Sequence, residues 1–167
     1  MPGFELKTIG LAALKKRLDQ VATKDAERMM NKALRAGGRV FETAIEERAP
    51  ERPDLPSGTA LPPGALRRDI SVRRVPSEPR TAVVVIGPGK YTKQTAHLVE
   101  FGHRNVRGGK SRIGKDGKAK GEGQVIGQVP AHPFVRPAFE AAGQQALDAV
   151  KDSLTEDFAR LDSKGGN

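Results

Sequence analysis

The sequence predicts an α+β fold, with a small, mainly antiparallel sheet packed by a long helix in the N-terminal half and by a C-terminal helix. Three observations carry that expectation. Between Lys24 and Arg48 the apolar residues Ala26, Met30, Ala33, Leu34, Phe41, Ala44 and Ile45 recur every three or four positions, the period of an amphipathic helix. Two β-branched runs, Ile70 to Val75 and Thr81 to Ile86, are joined by a link short enough that the strands should pair antiparallel. A second helical stripe passes through Phe139, Ala142, Ala146, Leu147, Val150, Leu154, Phe158 and Leu161 before Gly165 and Gly166 stop it.

At 167 residues the chain is sized for one domain, 1–167, with a modest core. Its first segment, 4–22, reads as a short strand (Phe4 to Lys7) followed by a short amphipathic helix with leucines at helical spacing. The long helix, 24–48, is expected to kink at Gly37-Gly38 and must stop at Pro50, because a proline ring clashes with the preceding turn. Prolines 53, 56, 62 and 63 make 51–64 an extended loop. The hairpin occupies 69–87 and is closed by Gly87-Pro88-Gly89, after which 95–101 reads as a helical turn or short helix. The stretch 104–127 is rich in glycine and lysine and has few large apolar groups to offset its ordering entropy, so a mobile basic arm is expected there. Regular structure resumes at Pro130, with the last helix at 134–162.

Aromatic residues are only 4% of the chain, so the core must rest on aliphatic side chains and on Phe4, Phe41, Phe101, Phe134, Phe139 and Phe158. So thin a supply favours a subunit that gains burial from a neighbouring copy. With 29 Lys and Arg against 20 Asp and Glu, the net charge of +9 suits an acidic partner or nucleic acid. Part of that excess is local to the arm, in Arg104, Arg107, Lys110, Arg112, Lys115, Lys118 and Lys120, opposed by Asp116 and Glu122. No cysteine is present, which removes disulfides, thiolate metal sites and thiol nucleophiles together. No apolar run nears the roughly 20 residues of a membrane span, and the N-terminus lacks a signal-peptide pattern, so synthesis in the cytoplasm without membrane association is expected.

Bond-making chemistry finds little to build on. Gly89-Lys90 and Gly109-Lys110 imitate the end of a phosphate-binding loop, but the glycine required five positions before each pair is replaced by Val84 and Arg104. His97, His103 and His132 show no metal-ligand spacing, and no serine sits in a nucleophile elbow. We therefore expect no enzyme, no metal and no cofactor. The arm has no aromatic on which a base could stack, so any contact with DNA should be sequence-independent.

Four stretches, read in order, resemble a phage tail-component family typified by the gp-ten protein of HK-ninety-seven-type phages. They are Gly10 to Leu18; Ala49-Pro50 followed by Gly64 to Ile70; Ala96-His97-Leu98-Val99-Glu100-Phe101-Gly102; and Pro130 to Phe139, which contains Pro133-Phe134-Val135-Arg136-Pro137. A proline-rich insertion separates the halves of the second, and His103 stands where the family usually has threonine or serine. The resemblance implies a virion protein of the head-tail neck or tail end, related in role to tail-completion and tail-terminator subunits that form rings, commonly sixfold. It implies neighbouring neck and tail-tube proteins as partners and a place in the virion. Under that reading Glu100, Phe101 and Gly102 are interface or structural residues, Pro133 and Pro137 stiffen the entry to the last helix, and Phe134 anchors a pocket. Arg136 should pair with a carboxylate, Glu100 first, within one subunit or between two. The arm would order against a neighbour or face DNA in the lumen. The competing expectation is a stand-alone basic nucleic-acid-binding protein whose arm grips phosphate.

Overall fold

The structure is a computed structural model that describes residues 10–21, 23–51, 61–78, 81–107, 112–113, 119–120 and 124–165. It is α+β. In chain order the elements are α1 (Leu11–Asp19), α2 (Thr23–Arg48), α3 (Ala65–Arg68), β1 (Ile70–Val75), β2 (Val83–Pro88), α4 (Lys93–Phe101), β3 (His103–Arg107), β4 (Arg112–Ile113), β5 (Ala119–Lys120), β6 (Gln124–Val129) and α5 (Val135–Gly165). The strand expected at the N-terminus and much of the proline-rich loop lie outside the described residues.

Helices α2 and α5 pack along each other and form the body of the molecule. Their contact is close because small residues line it: Ala33 and Ala44 on α2, and Ala138, Ala142 and Ala146 on α5, are all buried. The glycine pair belongs to this packing, and α2 runs as one helix across it. A Cβ on Gly37 would stand 2.7 Å from Val150 Cγ2 and 2.8 Å from the Ala146 carbonyl oxygen, and one on Gly38 would stand 2.8 Å from Val72 Cγ1. The pair thus admits α5 on one side and β1 on the other.

Two apolar clusters hold the body together. One joins Ala44 and Ile45 of α2, and Ala49 just after it, to Leu66, Ile70, Ala96, Val99, Phe134, Ala138 and Ala142, with Phe41 and Phe139 stacked beside it at a centroid separation of 4.2 Å. The other joins Met29 and Ala33 to Leu154 and Phe158, and Leu14, Leu18 and Val21 pack against it. Helix α1 is further tied to α5 by Arg17, whose guanidinium lies 4.7 Å above the Phe158 ring and 2.7 Å from the Asp162 carboxylate. Phe101, expected among the core aromatics, is 70% exposed instead.

The hairpin forms as expected, with β1 and β2 antiparallel in the register Ile70↔Pro88 to Val75↔Val83. Its second strand is displaced two residues toward the C-terminus of the run read from sequence. The turn takes Thr81, whose N–H donates to the Glu78 carbonyl at 3.0 Å and whose carbonyl accepts the Ser77 hydroxyl. Gly87 and Pro88, expected to close the hairpin, continue the strand. Among the described residues β1 pairs with β2, β3 with β6, and β4 with β5, each as a separate antiparallel ladder.

The stretch expected as a mobile arm without regular structure begins and ends in strands. His103 to Arg107 pair with Gln124 to Val129, with a register shift between Asn105 and Val106, and Arg112 and Ile113 pair with Lys120 and Ala119. Composition bears on side-chain burial alone. A ladder is held by main-chain hydrogen bonds, which glycine and lysine supply as well as any other residue.

Candidate functional site

The residues singled out from sequence at 100–102 and 133–137 meet where α4 ends and α5 begins. Helix α4 stops because Gly102 turns the chain at φ 72°, ψ 170°. Its position permits no side chain: a Cβ there would lie 2.7 Å from the Val129 carbonyl oxygen and 2.8 Å from the Ala131 nitrogen. The chain returning from β6 therefore passes directly over Gly102. One turn earlier, the free carbonyl of Val99 accepts the N–H of His132 at 2.8 Å, so the end of α4 is stitched to the approach to α5.

Glu100 completes the junction. Its Oε2 accepts the N–H of Phe134 at 2.8 Å and of Val135 at 3.0 Å, and its Oε1 accepts the N–H of Arg136 at 3.2 Å. A helix N-terminus presents main-chain donors without intrahelical acceptors together with the positive end of the helix dipole, and a carboxylate answers both. The usual cap comes from the residue just before the helix. Here it comes from a different helix, 34 to 36 residues earlier in the chain.

The partnership expected between Glu100 and Arg136 is thus made through the main chain of Arg136. The Arg136 guanidinium donates from Nε to Glu140 at 2.9 Å, one turn along α5, with the side chain largely in solvent. Phe134 is fully buried and fills the space between α4 and the α2 core, as a pocket anchor should. Pro133 precedes the helix and Pro137 falls in its first turn, where a missing N–H breaks no intrahelical bond. Phe101 touches the His97 ring at 5.0 Å and otherwise faces outward.

Among the arm's basic residues the structure describes the strand positions of Arg104, Arg107, Arg112 and Lys120. Arg104, exposed, pairs across the ladder with Gln128, and Arg107 pairs with Gln124. Arg112 and Lys120 are register partners in the small ladder, while Lys110, Lys115 and Lys118 lie outside the described residues. Among the described residues no group of three His, Asp or Glu side chains could hold a metal ion, and no helix is long and apolar enough to cross a membrane.

Sequence reasoning missed a second remote cap. Asp69, between α3 and β1, accepts the N–H of Thr92 at 3.0 Å and its hydroxyl at 2.8 Å, both through Oδ2, at the start of α4. Thr92 is 1% exposed, so this pairing satisfies a buried hydroxyl. Asp69 before a strand carries no local pattern that could have announced it. Helix α4 is consequently held at its first turn by Asp69 and fixes the first turn of α5 by Glu100.

Residues 12–102 match the HK97-gp10-like family, described as "Bacteriophage HK97-gp10, putative tail-component". The match takes in α1 to α4 with Asp69, Glu100 and Gly102, whereas the Pro133 to Pro137 segment that Glu100 caps lies beyond it. No curated protein and no solved structure gives a match. With more than half of its length matched, the chain belongs to the HK97-gp10-like family of bacteriophage tail components.

Proposed function

We propose that copies of this chain close into a ring, six being the favoured number, at the head-tail neck or tail terminus of a long-tailed phage, and that the ring joins the connector to the tail tube. The role is that of a tail-completion or tail-terminator subunit, and its partners are the adjoining neck and tail-tube proteins. The observation that carries this reading is the exposure of Phe101: a large aromatic, 70% accessible, held on a junction that Glu100, Gly102 and His132 make rigid. A solvent-facing aromatic on a fixed support suits an interface, where such residues supply most of the binding energy. The β1–β2 ladder adds a second apolar face, with Val83 and Val85 at 38% and 45% exposure on the outward side of β2. Neither β1 nor β2 has a further strand partner among the described residues.

Mass measurement of the purified protein, alone and after mixing with tail tubes, tests the proposal. The expected result is a closed oligomer of defined copy number, formed alone or on the tube end. A protein that stays monomeric in both conditions, with complete particles still assembling after deletion of its gene, would end the ring reading.

A further inference from the structure

The long helix α2 carries a feature that the assembly reading does not use. Lys24, Arg28, Lys32, Arg35 and Arg39 follow one another at intervals of four, four, three and four residues, and all five are exposed. At 100° per residue they fall within about 80° of arc and extend for about 22 Å along the helix. They form one wall of an open groove of about 920 Å³, to which β1 adds Arg74. The far wall is α5, which presents Asp152 and Glu156, and Glu27 lies on the α2 side.

Two of these cations are already matched: Lys32 pairs with Asp157, and Arg28 lies 3.6 Å from Asp25. Lys24, Arg35, Arg39 and Arg74 enter no ion pair among the described residues. Four unmatched charges of one sign converging on one groove repel one another, a cost that a polyanion seated there removes.

The groove also indicates what kind of polyanion fits. Its apolar lining is limited to Ala36 and Ala149, with no aromatic and no large aliphatic side chain. The core of a protein–protein interface is enriched in aromatic and apolar anchors, and the lining offers no such side chain. A nucleic-acid backbone needs only spaced positive charge. Along about 22 Å of duplex one strand presents roughly six phosphates, which matches a row of this length. Without an aromatic for stacking, the contact is blind to base sequence.

We infer that the α2 groove, with Arg35, Arg39, Arg74 and Lys24 as its principal contacts, binds the phosphate backbone of duplex DNA without sequence preference. The carboxylates of α5 keep the phosphates on the α2 and β1 side of the groove. The DNA-contacting surface is therefore the helix face, distinct from the glycine-rich arm.

Fluorescence anisotropy of the full chain with a labelled mixed-sequence duplex, over a range of salt concentrations, tests this. The triple variant Arg35→Gln, Arg39→Gln, Arg74→Gln should bind more weakly and flatten the slope of log K against log salt by about 2.7, the loss of three phosphate contacts. The Lys versions of the same three positions should keep the slope, because charge and not side-chain shape carries the contact. Neutralising Arg104, Arg107 and Arg112 should leave it nearly unchanged. A slope untouched by the groove variant, or abolished by the arm variant instead, overturns the inference. So does wild-type protein that binds poly-glutamate but not duplex, since the groove would then serve an acidic protein.

Discussion

Glu100 and Pro137 divide between them the four main-chain positions that open α5. The Glu100 carboxylate takes the N–H groups of Phe134, Val135 and Arg136, and Pro137, the next residue, has no N–H to satisfy. From Ala138 onward the intrahelical ladder takes over. A single acid on one helix and a single proline on another therefore leave no unanswered donor at the start of the longest element of the fold. This arrangement accounts physically for why a Phe-Val-Arg-Pro segment is a suitable partner for a helix ending in Glu-Phe-Gly.

Removing that acid should be costly. Glu100→Ala strips the acceptor from three donors at a partly buried helix end, and unsatisfied donors of this kind are expected to cost about 2 to 3 kcal/mol in total. Glu100→Gln keeps one neutral acceptor oxygen and should lose about half as much. Urea or thermal unfolding followed by circular dichroism measures both. For a chain of this size the Ala variant should melt roughly 4 to 12 °C lower. If it unfolds within about 0.5 kcal/mol of the parent, the cap contributes nothing.

Gly102 and Gly10 form a contrast: Gly10 is left-handed helical (φ 87°, ψ −14°), whereas Gly102 (φ 72°, ψ 170°) lies in a region open essentially to glycine alone. Both have positive φ, 72° and 87°, but a Cβ at Gly102 meets main-chain atoms at 2.7 and 2.8 Å whereas one at Gly10 meets nothing within 4 Å. Gly10→Ala should therefore cost only the conformational penalty, about 1 kcal/mol. Gly102→Ala must also displace the chain carrying Val129 to Ala131, which adds an overpacking cost of about 1 to 3 kcal/mol. Amide hydrogen exchange should show the extra loss concentrated in the β3–β6 ladder. Equal destabilisation by the two substitutions would mean that the close approach at Gly102 is unimportant.

Much of this architecture was legible beforehand, for identifiable reasons. The helices carrying Ala33, Ala44 and Ile45, and Ala142, Leu154 and Phe158, announce themselves because one face of each is buried against the other over many turns, and periodicity records burial. Ile70 to Val75 is equally plain as a half-buried strand. What stayed hidden was held by main-chain groups. The β3–β6 ladder leaves Val125 and Ile126 about half exposed, so its side chains carry little of the burial signal on which sequence reading depends. The acceptor role of Glu100 was hidden for the same cause: side-chain charge suggested Arg136, and the true partners are three peptide N–H groups that any residue type could offer. Gly37 and Gly38 read as a flaw in α2 because a sequence does not show which neighbour will press against a helix.

That neighbour sets up a competition at Gly37. Alanine is the better helix former by about 1 kcal/mol, which alone would make Gly37→Ala stabilising. Against it stand Val150 Cγ2 at 2.7 Å and the Ala146 carbonyl oxygen at 2.8 Å. The valine methyl can be moved or removed, but the carbonyl belongs to α5 and shifts only if the helices separate, so overpacking of about 1 to 3 kcal/mol should win. Gly37→Ala is expected to be net destabilising, and the addition of Val150→Ala should not restore the parent stability. Chemical denaturation of the single and double variants measures the balance. A stabilised single variant would show that α2 and α5 have slack between them.

Two phenylalanines on either side of the junction separate folding from assembly. Phe134 is fully buried and Phe101 is 70% exposed, although they stand in neighbouring segments of the same site. Truncating Phe134 to Ala opens a cavity in the α2–α4–α5 core and should cost about 3 to 5 kcal/mol, enough to cripple a domain of ordinary stability. Phe101→Ser removes a side chain with little packing of its own and should change the unfolding free energy by no more than about 0.5 kcal/mol. Its effect belongs to the oligomer. Under the ring proposal the Ser variant folds, shows parent-like circular dichroism, and fails to form the closed species or to bind tail tubes in mass measurements. Normal assembly by a folded Phe101→Ser variant would remove this residue from the interface and leave the outward face of β2, with Val83 and Val85, as the surface to substitute next.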